Sequence, residues 1–361
     1  MNWPNWLPLR KDLTPLTPYG APQIPADASL NTNENPYSPS PALQKAISEA
    51  VLKVSAQLNR YPDRDANELR GKLASYINST SKVAITLDNI WAANGSNEII
   101  QSIFLAFGQG NALGFTPSYS MHPLIAKVCG TKWTDGKRND DFSLNVGLAV
   151  EQIAQVKPAL TFITTPNNPT GGSVSLSEIK SLADAAAKVG GLLIVDEAYA
   201  EFSSEESAVT LIATNPHVVV IRTMSKAFAF AGARVGYMVC DSCVKDAMML
   251  VRLPYHLSAL TQAAASVAID FKDDLLSYVR QLIQARETLT KQLHALGLAT
   301  VPSSANFILF TGFSTDAPKL WNELLGKGVL IRDVGLPGYL RVTIGNDAEN
   351  TLFINALKEL I

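Results

Sequence analysis

The sequence predicts an α/β fold, in which helices flank a mostly parallel central sheet and a smaller α+β domain follows. Short β-branched, apolar runs alternate with segments of helical periodicity between residues 97 and 239, as in βαβ units. After residue 254 the pattern changes to one long helix followed by further strand signals. A length of 361 residues is typical of two domains, or of one large and one small domain.

The composition excludes several classes of protein. Hydrophobic residues make up 47% of the chain and charged residues only 17%, whereas a disordered chain has low hydrophobicity and high charge. A net charge of −2 gives no electrostatic reason to expect a nucleic-acid partner. The low charge content also predicts that part of the surface is buried against a second subunit.

The sequence predicts a cytoplasmic protein. Residues 1–6 contain neither the basic nor the apolar region of a signal peptide. The longest uncharged stretch, 99–126, is broken by polar residues and prolines, so we expect no membrane span. Three cysteines cannot build a disulfide framework. Cys240 and Cys243 form a lone C-x-x-C without a second pair, so we expect core thiols and no metal site.

The large domain is predicted at 40–255, after an irregular N-terminal arm of residues 1–39 that packs with the small domain. Its first helix is predicted from an apolar spacing of three and four residues that begins after Ser40 and Pro41, a typical cap and first turn. The predicted helices are 41–58, 67–78, 97–107 and 176–189. The predicted strands are 112–115, 160–164, 192–195, 218–221 and 235–239.

The small domain is predicted at 256–361. Its long helix, 274–296, ends at Gly297, a residue common after the last turn of a helix. The predicted strands of this domain are 307–310, 329–332 and 340–344, with one helix between them and another at the end of the chain.

Four short polar segments lie at the ends of predicted strands. In an open parallel sheet, ligands bind beyond the carboxyl ends of the strands, so these segments predict a binding site. They are TPNNPTG (165–171), VDEAY (195–199), RTMSKAF (222–228) and AGARVG (231–236).

In this order the segments resemble those of the fold-type-I aminotransferases that use pyridoxal 5′-phosphate (PLP), and the resemblance runs from about residue 31 to 350. Further motifs are similar to the histidinol-phosphate aminotransferase family, the last of them in its actinobacterial form. These motifs are LNTNENP (30–36), NRYPD (59–63), WAANGSNE (91–98) and IRDVG (331–335). The resemblance implies amino transfer between L-histidinol phosphate and 2-oxoglutarate.

The resemblance implies roles for the residues around the reactive part of the cofactor. Lys226 would hold PLP covalently and then act as the base, which requires a neutral amine. Asp196 would pair with the pyridinium nitrogen. Tyr199 and Asn168 would reach the phenolate oxygen of the ring, and Tyr119 would stack on the ring.

It also implies a phosphate site without a Walker loop. Arg234 offers a guanidinium fork and Ser225 a hydroxyl. The Gly95-Ser96-Asn97 turn opens a helix, whose first N–H groups point toward an anion. His122 lies where many relatives place a tyrosine, and it is assigned no catalytic role because Lys226 supplies the base.

Substrate recognition is assigned to arginines of the small domain. Arg341 matches the family residue that binds the α-carboxylate, and Arg332 resembles the one that helps to hold the substrate phosphate. Asn33 and Tyr37 are further candidates for the same pocket. Tyr61 resembles a tyrosine that reaches the phosphate in the partner's site, which implies a homodimer.

Three alternatives remain open. Aromatic-amino-acid aminotransferases differ from this family in only a few pocket residues. A PLP-dependent decarboxylase of a phosphorylated amino acid shares the scaffold and a phosphate-binding arginine. A PLP-fold regulatory module usually carries a DNA-binding domain, for which the roughly 40 irregular residues before the first helix leave no room.

Overall fold

The computed structural model describes residues 3–18 and 20–361. The helices are α1 (Pro41–Ser55), α2 (Asn67–Ser81), α3 (Ser96–Phe107), α4 (Met121–Cys129), α5 (Val146–Val156), α6 (Leu176–Lys188), α7 (Ser242–Met249), α8 (Ala259–Asp270), α9 (Lys272–Ala295), α10 (Ala317–Gly326) and α11 (Asp347–Lys358). The strands are β1 (Ala28–Ser29), β2 (Ile90–Ala93), β3 (Asn111–Thr116), β4 (Lys132–Lys137), β5 (Leu160–Thr164), β6 (Leu192–Asp196), β7 (Val218–Thr223), β8 (Gly236–Val239), β9 (Ala299–Thr300), β10 (Phe307–Thr311), β11 (Val329–Leu330), β12 (Arg332–Asp333) and β13 (Leu340–Thr343). Short 3₁₀ helices lie at Leu87–Asn89, Ala200–Phe202, Ala208–Leu211 and Ala231–Ala233.

A seven-stranded sheet forms the centre of the molecule, in the order β2-β8-β7-β6-β5-β3-β4. Strands β3 to β7 pair in parallel, and β8 runs antiparallel to both of its neighbours. Every residue of β7 is buried, and the side chains of its first four residues alternate between two apolar clusters. Burial on both faces is typical of a parallel sheet covered by helices, so the predicted α/β fold is confirmed.

Helices cover both faces of this sheet. On one face, Leu69 of α2, Ile153 of α5 and Leu182 of α6 are buried in the same apolar cluster as Val220 of β7. The other face holds a second cluster, to which α3, α4 and α7 contribute. These two layers fix the strand ends on which the polar segments lie.

A four-stranded antiparallel sheet, in the order β12-β13-β10-β9, belongs to the C-terminal part of the chain. The predicted single strand 329–332 is wrong, because this segment joins two different sheets. Strand β11 pairs in parallel with β1 of the N-terminal arm, whereas β12 pairs with β13. Strand β1 of the arm pairs with β11, and after Ile331 the chain pairs with β13 instead. This change places Arg332 beside β13.

The N-terminal arm contacts both parts of the molecule. Its residues 28–30 bond to β11 and to Thr343 of β13. Arg10 instead donates to the carbonyl of Val128 at the end of α4, at 2.7 Å. Helix α8 packs against α1 and α2, although it follows residue 256. The division into 1–39, 40–255 and 256–361 therefore stays a prediction.

Eight of the described helices and strands are missing from the sequence prediction: β1, β2, α4, β4, α5, α7, α8 and β9. Strand β4 is an edge strand with a mostly polar sequence, so it has no apolar run. Helix α4 has Pro123 in its first turn, where proline is tolerated. No helix in the described part of the chain is long and apolar enough to cross a membrane.

Candidate active site

A cavity of about 480 Å³ lies at the carboxyl ends of β5, β6 and β7. The last residues of these strands, Thr164, Asp196 and Thr223, all line it. The opposite wall comes from residues 31–34 of the arm and from β12 and β13 of the smaller sheet. The cavity thus lies between the two sheets, at the edge where an open parallel sheet binds ligands.

The structure brings most of the predicted site residues to this cavity. It is lined by Asn33, Ser96, Asn97, Tyr119, Asn168, Asp196, Tyr199, Ser225, Lys226, Arg234, Arg332 and Arg341. Gly95 lies directly behind this lining, because a Cβ built on it would be 2.7 Å from Nη2 of Arg234.

Lys226 follows β7 and points toward the arm. Its Nζ donates a hydrogen bond to the carbonyl of Thr32 at 2.9 Å. Burial of the amine, together with the positive charges of Arg341 and Arg234, lowers the pKa of Lys226 to about 8, against an opposing effect of Glu34. A substantial neutral fraction of this amine therefore exists near neutral pH, as a nucleophile or base requires.

Asp196 is buried and has a partner that the sequence did not assign. Its Oδ2 lies 3.0 Å from Nε2 of His122, and its Oδ1 accepts the N–H of Ala198 at 3.2 Å. Both Asp196 and His122 are 2% exposed. A buried carboxylate needs a hydrogen-bonding partner, and this rule was the only signal in the sequence that pointed to such a neighbour.

The hydroxyl of Tyr199 accepts hydrogen bonds from two side-chain amides. Nδ2 of Asn33 donates to it at 2.9 Å and Nδ2 of Asn168 at 3.3 Å. Oδ1 of Asn168 in turn accepts from Nη1 of Arg341 at 2.6 Å. One network therefore connects an arginine of the small sheet with a tyrosine that follows β6.

The N-terminus of α3 and Arg234 form a cradle for an anion. Gly95 caps α3 with a φ of 84°, a conformation that favours glycine. A Cβ on Gly236 would lie 2.5 Å from the backbone N of Ser96, so the two segments approach each other too closely for a side chain. Arg234 and Ser225 border the same space, with Nη1 and Oγ 3.5 Å apart.

Tyr119 and His122 form the wall of the cavity beside α3. The Tyr119 hydroxyl donates to Oδ1 of Asn97 at 3.2 Å. Its ring meets the His122 imidazole edge to face, with centroids 5.3 Å apart. Since α4 carries His122 and the preceding turn carries Tyr119, one short segment places both rings.

Arg332 and Arg341 lie directly opposite each other in β12 and β13. Arg341 is 6% exposed and also donates to the carbonyl of Asn31 at 2.8 Å, whereas Arg332 is half-buried. Within residues 3–18 and 20–361, Arg332 has no hydrogen bond or ion pair. Two neighbouring cations that face one cavity favour an anionic ligand.

Two of the predicted residues lie elsewhere. Tyr37 stacks on Tyr278, with ring centroids 4.9 Å apart, and borders a different cavity. Tyr61 is 79% exposed and stacks on Tyr255 at 4.3 Å. The structure therefore does not bring either ring to the cavity of its own chain.

A buried ion-pair network lies next to the segments that carry Asp196 and Lys226. Arg222 of β7 contacts Glu197 at 2.8 Å and Glu201 at 2.9 Å, and all three side chains are buried. Burial alone lowers the pKa of an arginine, but the two carboxylates outweigh it and raise the pKa of Arg222. The network joins the segment after Asp196 to the strand that leads to Lys226.

Within the described ranges, no three His, Cys, Asp or Glu residues are grouped so that they could hold a metal ion.

Comparison with known proteins agrees with this geometry. The family model "Aminotransferase class I and II" matches residues 27–357. The histidinol-phosphate aminotransferase of Mycobacterium sp. (strain JLS) is 53% identical over 358 residues, which are 98% of this chain and 94% of that protein. The protein of the same name from Nocardia farcinica (strain IFM 10152) is 51% identical over 357 residues, or 98% of this chain and 92% of that protein.

A solved structure shows the same fold. Histidinol-phosphate aminotransferase from Sinorhizobium meliloti, in complex with pyridoxal-5′-phosphate, superimposes with a TM-score of 0.81 at 23% identity. The match covers 93% of this chain and 91% of that one. The chain belongs to the class I and II aminotransferases and, within them, to the histidinol-phosphate aminotransferase family.

Proposed function

We propose that this protein transfers the amino group between L-histidinol phosphate and 2-oxoglutarate in histidine biosynthesis, giving imidazole-acetol phosphate and L-glutamate. The observation that carries the proposal is the pair of Arg332 and Arg341, which share one cavity with Lys226. Histidinol phosphate has a phosphate and no α-carboxylate, whereas glutamate has carboxylates. Guanidinium groups bind both kinds of anion in a bidentate manner, so Arg341 would serve both half-reactions, and Arg332 would help to hold the phosphate of histidinol phosphate.

The cavity fits pyridoxal phosphate, the cofactor of this enzyme. The cradle of Gly95, Ser96 and Asn97 with Ser225 and Arg234 offers backbone N–H groups, a hydroxyl and a cation to a phosphate. Gly236 packs against this turn too closely for a Cβ, so β8 fixes the position of the backbone N–H groups.

The remaining residues match the other parts of the cofactor. Asp196 would pair with the pyridinium nitrogen, and its hydrogen bond with His122 would orient the carboxylate. Tyr199 and Asn168 would donate to the oxygen on the ring, and Tyr119 would cover a face of the ring. Lys226 would hold the cofactor covalently.

When bound, the cofactor supplies an electron sink that stabilises the carbanion formed at the substrate Cα. We assign the transfer of that proton to Nζ of Lys226. Because burial and two nearby arginines lower the pKa of this amine to about 8, its neutral form accepts a proton near neutral pH. The same nitrogen would then give the proton to the reacting carbon of the cofactor, so that the lysine ends the half-reaction as a neutral amine that no longer holds the cofactor covalently.

We also propose that the enzyme is a homodimer in which Tyr61 reaches the cofactor phosphate of the partner subunit. Tyr61 stacks on Tyr255, and the segment before Tyr255 carries Leu250 and Leu253, which are 85% and 73% exposed. Arg252 donates to the carbonyl of Arg64 at 3.0 Å and so holds the two loops of this surface together. Apolar patches of this kind favour an interface.

A cytoplasmic location is part of the proposal. Cys129, Cys240 and Cys243 are all free thiols in the structure. A reducing compartment keeps thiols in this state.

Half-reaction kinetics test the substrate. The holoenzyme is mixed with histidinol phosphate or with phenylalanine, and the loss of the visible absorbance of the lysine-bound cofactor gives each rate. We expect the apparent second-order rate constant to be higher for histidinol phosphate than for phenylalanine. A preference for phenylalanine would instead favour the alternative, an aromatic-amino-acid aminotransferase.

A further inference from the structure

Asn167 is completely buried between two loops that border the cavity. It lies in the loop after β5, directly before Asn168, and is 0% exposed. The other loop follows β3 and carries Ser118 and Tyr119. A buried amide is costly unless its polar atoms have hydrogen-bonding partners. The contacts of Asn167 therefore indicate which parts of the molecule this residue holds together.

Three hydrogen bonds of Asn167 lie within its own loop. Its N–H donates to the carbonyl of Gly172 at 2.8 Å, and its carbonyl accepts from the N–H of Gly171 at 2.6 Å. Its Nδ2 donates to Oγ1 of Thr170 at 2.8 Å. These contacts fix the residue in the loop after β5. They leave the second proton of Nδ2 and the oxygen Oδ1 for the neighbouring loop.

Two further hydrogen bonds join Asn167 to the loop after β3. Nδ2 donates to the carbonyl of Pro117 at 3.0 Å, and Oδ1 accepts from the hydroxyl of Ser118 at 2.9 Å. A carbonyl only accepts, so the contact with Pro117 fixes the amide nitrogen on that side and turns Oδ1 toward Ser118. The Ser118 oxygen also lies 3.0 Å from Oγ1 of Thr164, the last residue of β5. The two loops are thus joined at the residue before Tyr119.

These bonds connect two side chains that line the cavity from different strands. Asn168 follows Asn167, and Tyr119 follows Ser118. Oδ1 of Asn168 accepts from Nη1 of Arg341 at 2.6 Å, so the loop after β5 is itself held against the smaller sheet. A fixed Ser118 in turn fixes the backbone from which the Tyr119 ring projects. The position of this ring therefore depends on Asn167, whose own side chain does not reach the cavity surface.

We propose that Asn167 is a positioning residue that, through Ser118, holds the Tyr119 ring against the face of the cofactor ring. The inference rests on the proposed function, because it takes the stacking role of Tyr119 from there. The hydroxyl end of Tyr119 bonds to Asn97, and its ring meets His122 edge to face. Asn167 adds a restraint at the backbone end of the same side chain. A ring that is already in place reduces the entropy lost when a ligand binds.

The consequence is measurable as cofactor affinity, without turnover. Ser118→Ala removes the hydroxyl that bonds to Oδ1 of Asn167, so binding of pyridoxal phosphate also has to order the Tyr119 ring. We expect the dissociation constant of the cofactor to rise by about 3- to 10-fold, the effect of one neutral hydrogen bond. Asn167→Ala removes both bonds to the loop after β3 and should raise it further. Ser118→Thr keeps the hydroxyl and should bind the cofactor like the parent enzyme.

An amide that joins two segments away from the cavity provides the matched control. Nδ2 of Asn78 donates to the carbonyl of Ile85 at 2.7 Å, and its Oδ1 accepts the N–H of Ile85 at 2.8 Å. Asn78→Ala should lower the urea midpoint of the apoenzyme and leave the dissociation constant of the cofactor unchanged. Urea unfolding also shows which variants fold. Because Asn167→Ala leaves several buried groups without partners, Ser118→Ala is the variant on which the comparison depends.

A double-mutant comparison decides whether the bonds of Asn167 act through Tyr119. Apoenzyme is titrated with pyridoxal phosphate, and the visible absorbance of the bound cofactor is followed. In the Tyr119→Leu background, Ser118→Ala should change the dissociation constant no further. An unchanged dissociation constant in Ser118→Ala, or an additive increase in the double variant, overturns the inference while the proposed function stands.

Two outcomes separate this inference from the proposals on which it rests. An unchanged dissociation constant in Tyr119→Leu overturns the inference together with the stacking role of Tyr119. A preference for phenylalanine as substrate overturns the proposed substrate and leaves the inference in place, because cofactor affinity is measured without substrate.

Discussion

The imidazole of His122 lies 3.0 Å from the carboxylate of Asp196, and both side chains are almost completely buried. The two residues come from different elements, since His122 lies in the first turn of α4 and Asp196 ends β6. A carboxylate in such a position is stabilised by hydrogen bonds from fixed donors. The orientation of the carboxylate that we assign to the pyridinium site therefore depends on His122, for which the motifs indicated no role.

Replacement of His122 should weaken the cofactor site. In His122→Leu, Asp196 loses a buried partner, and the loss of one hydrogen bond to a charged group costs about 1.5–3 kcal/mol. We expect the dissociation constant of pyridoxal phosphate to rise by roughly 10- to 100-fold. His122→Gln retains an N–H donor and should recover part of the affinity. Equilibrium titration of apoenzyme with cofactor measures this, and unchanged affinity in His122→Leu would contradict the role.

The reactivity of Lys226 in the apoenzyme should follow its lowered pKa. The amine is mostly protonated below pH 8 and mostly neutral above it, because its pKa lies at about 8. A free lysine side chain reaches the same state only near pH 10.4. The rate of modification of Lys226 by an amine-directed reagent should thus be half-maximal near pH 8 and level off about one pH unit higher. Peptide mass spectrometry resolves each lysine, and a rate that keeps rising to pH 10 at Lys226 would refute the prediction.

Arg332 should matter more for the phosphate substrate than for the carboxylate one. Its guanidinium has no hydrogen bond or ion pair in the described part of the chain, so substrate binding need not break an existing contact. One charge-assisted hydrogen bond contributes about 1.5–3 kcal/mol, so Arg332→Gln should raise the KM of histidinol phosphate by roughly 10- to 100-fold. The KM of glutamate should change much less. Steady-state kinetics with both substrates test this, and equal losses would show that Arg332 is not selective.

Removal of Arg222 should destabilise the fold behind the site. Arg222→Leu leaves the carboxylates of Glu197 and Glu201 buried without their cation, which costs about 3–5 kcal/mol. The matched control is Lys180→Met, which breaks an exposed pair with Asp184 and should cost less than about 0.5 kcal/mol. Urea unfolding compares the two variants. A similar midpoint for both would mean that the buried network does not stabilise the protein.

The sequence predicted the central sheet because its strands are buried on both faces. The sequences of β6 and β7 begin with continuous apolar runs. The polar residues at the ends of these strands line the cavity. The edge strand β4 has no such run, and the prediction therefore missed it. Uniform burial alone is not sufficient for detection, since β2 is buried at all four residues and was also missed.

It was harder to predict which residues of the site bond to one another than to predict which residues belong to the site. Asn33 and Thr343 lie 310 residues apart in sequence, and His122 and Asp196 lie 74 apart. No periodicity relates residues at such separations, since only the packing of the two sheets brings them together. The motifs therefore indicated which side chains face the cavity, but not which of them hold one another.

Hybrid dimers test the proposed role of Tyr61. Its ring stacks on Tyr255 at 4.3 Å, and this contact remains in Tyr61→Phe, which removes only the hydroxyl. Lys226→Ala abolishes the base in its own chain. If Tyr61 acts on the partner subunit's cofactor, a hybrid of the two variants has one site with an intact Lys226 and an intact Tyr61, and one site without the base.

Mixing the two variants under conditions that exchange subunits should therefore raise activity above that of Tyr61→Phe and Lys226→Ala measured separately. If Tyr61 instead acts within its own chain, each hybrid site lacks one of the two groups, and mixing gives no gain. As the control, native mass spectrometry of the same mixture measures the fraction of hybrid dimers, because the Tyr61→Phe and Lys226→Ala chains differ in mass. Activity that stays at the mean of the separate variants, despite exchange in the control, would contradict the shared site.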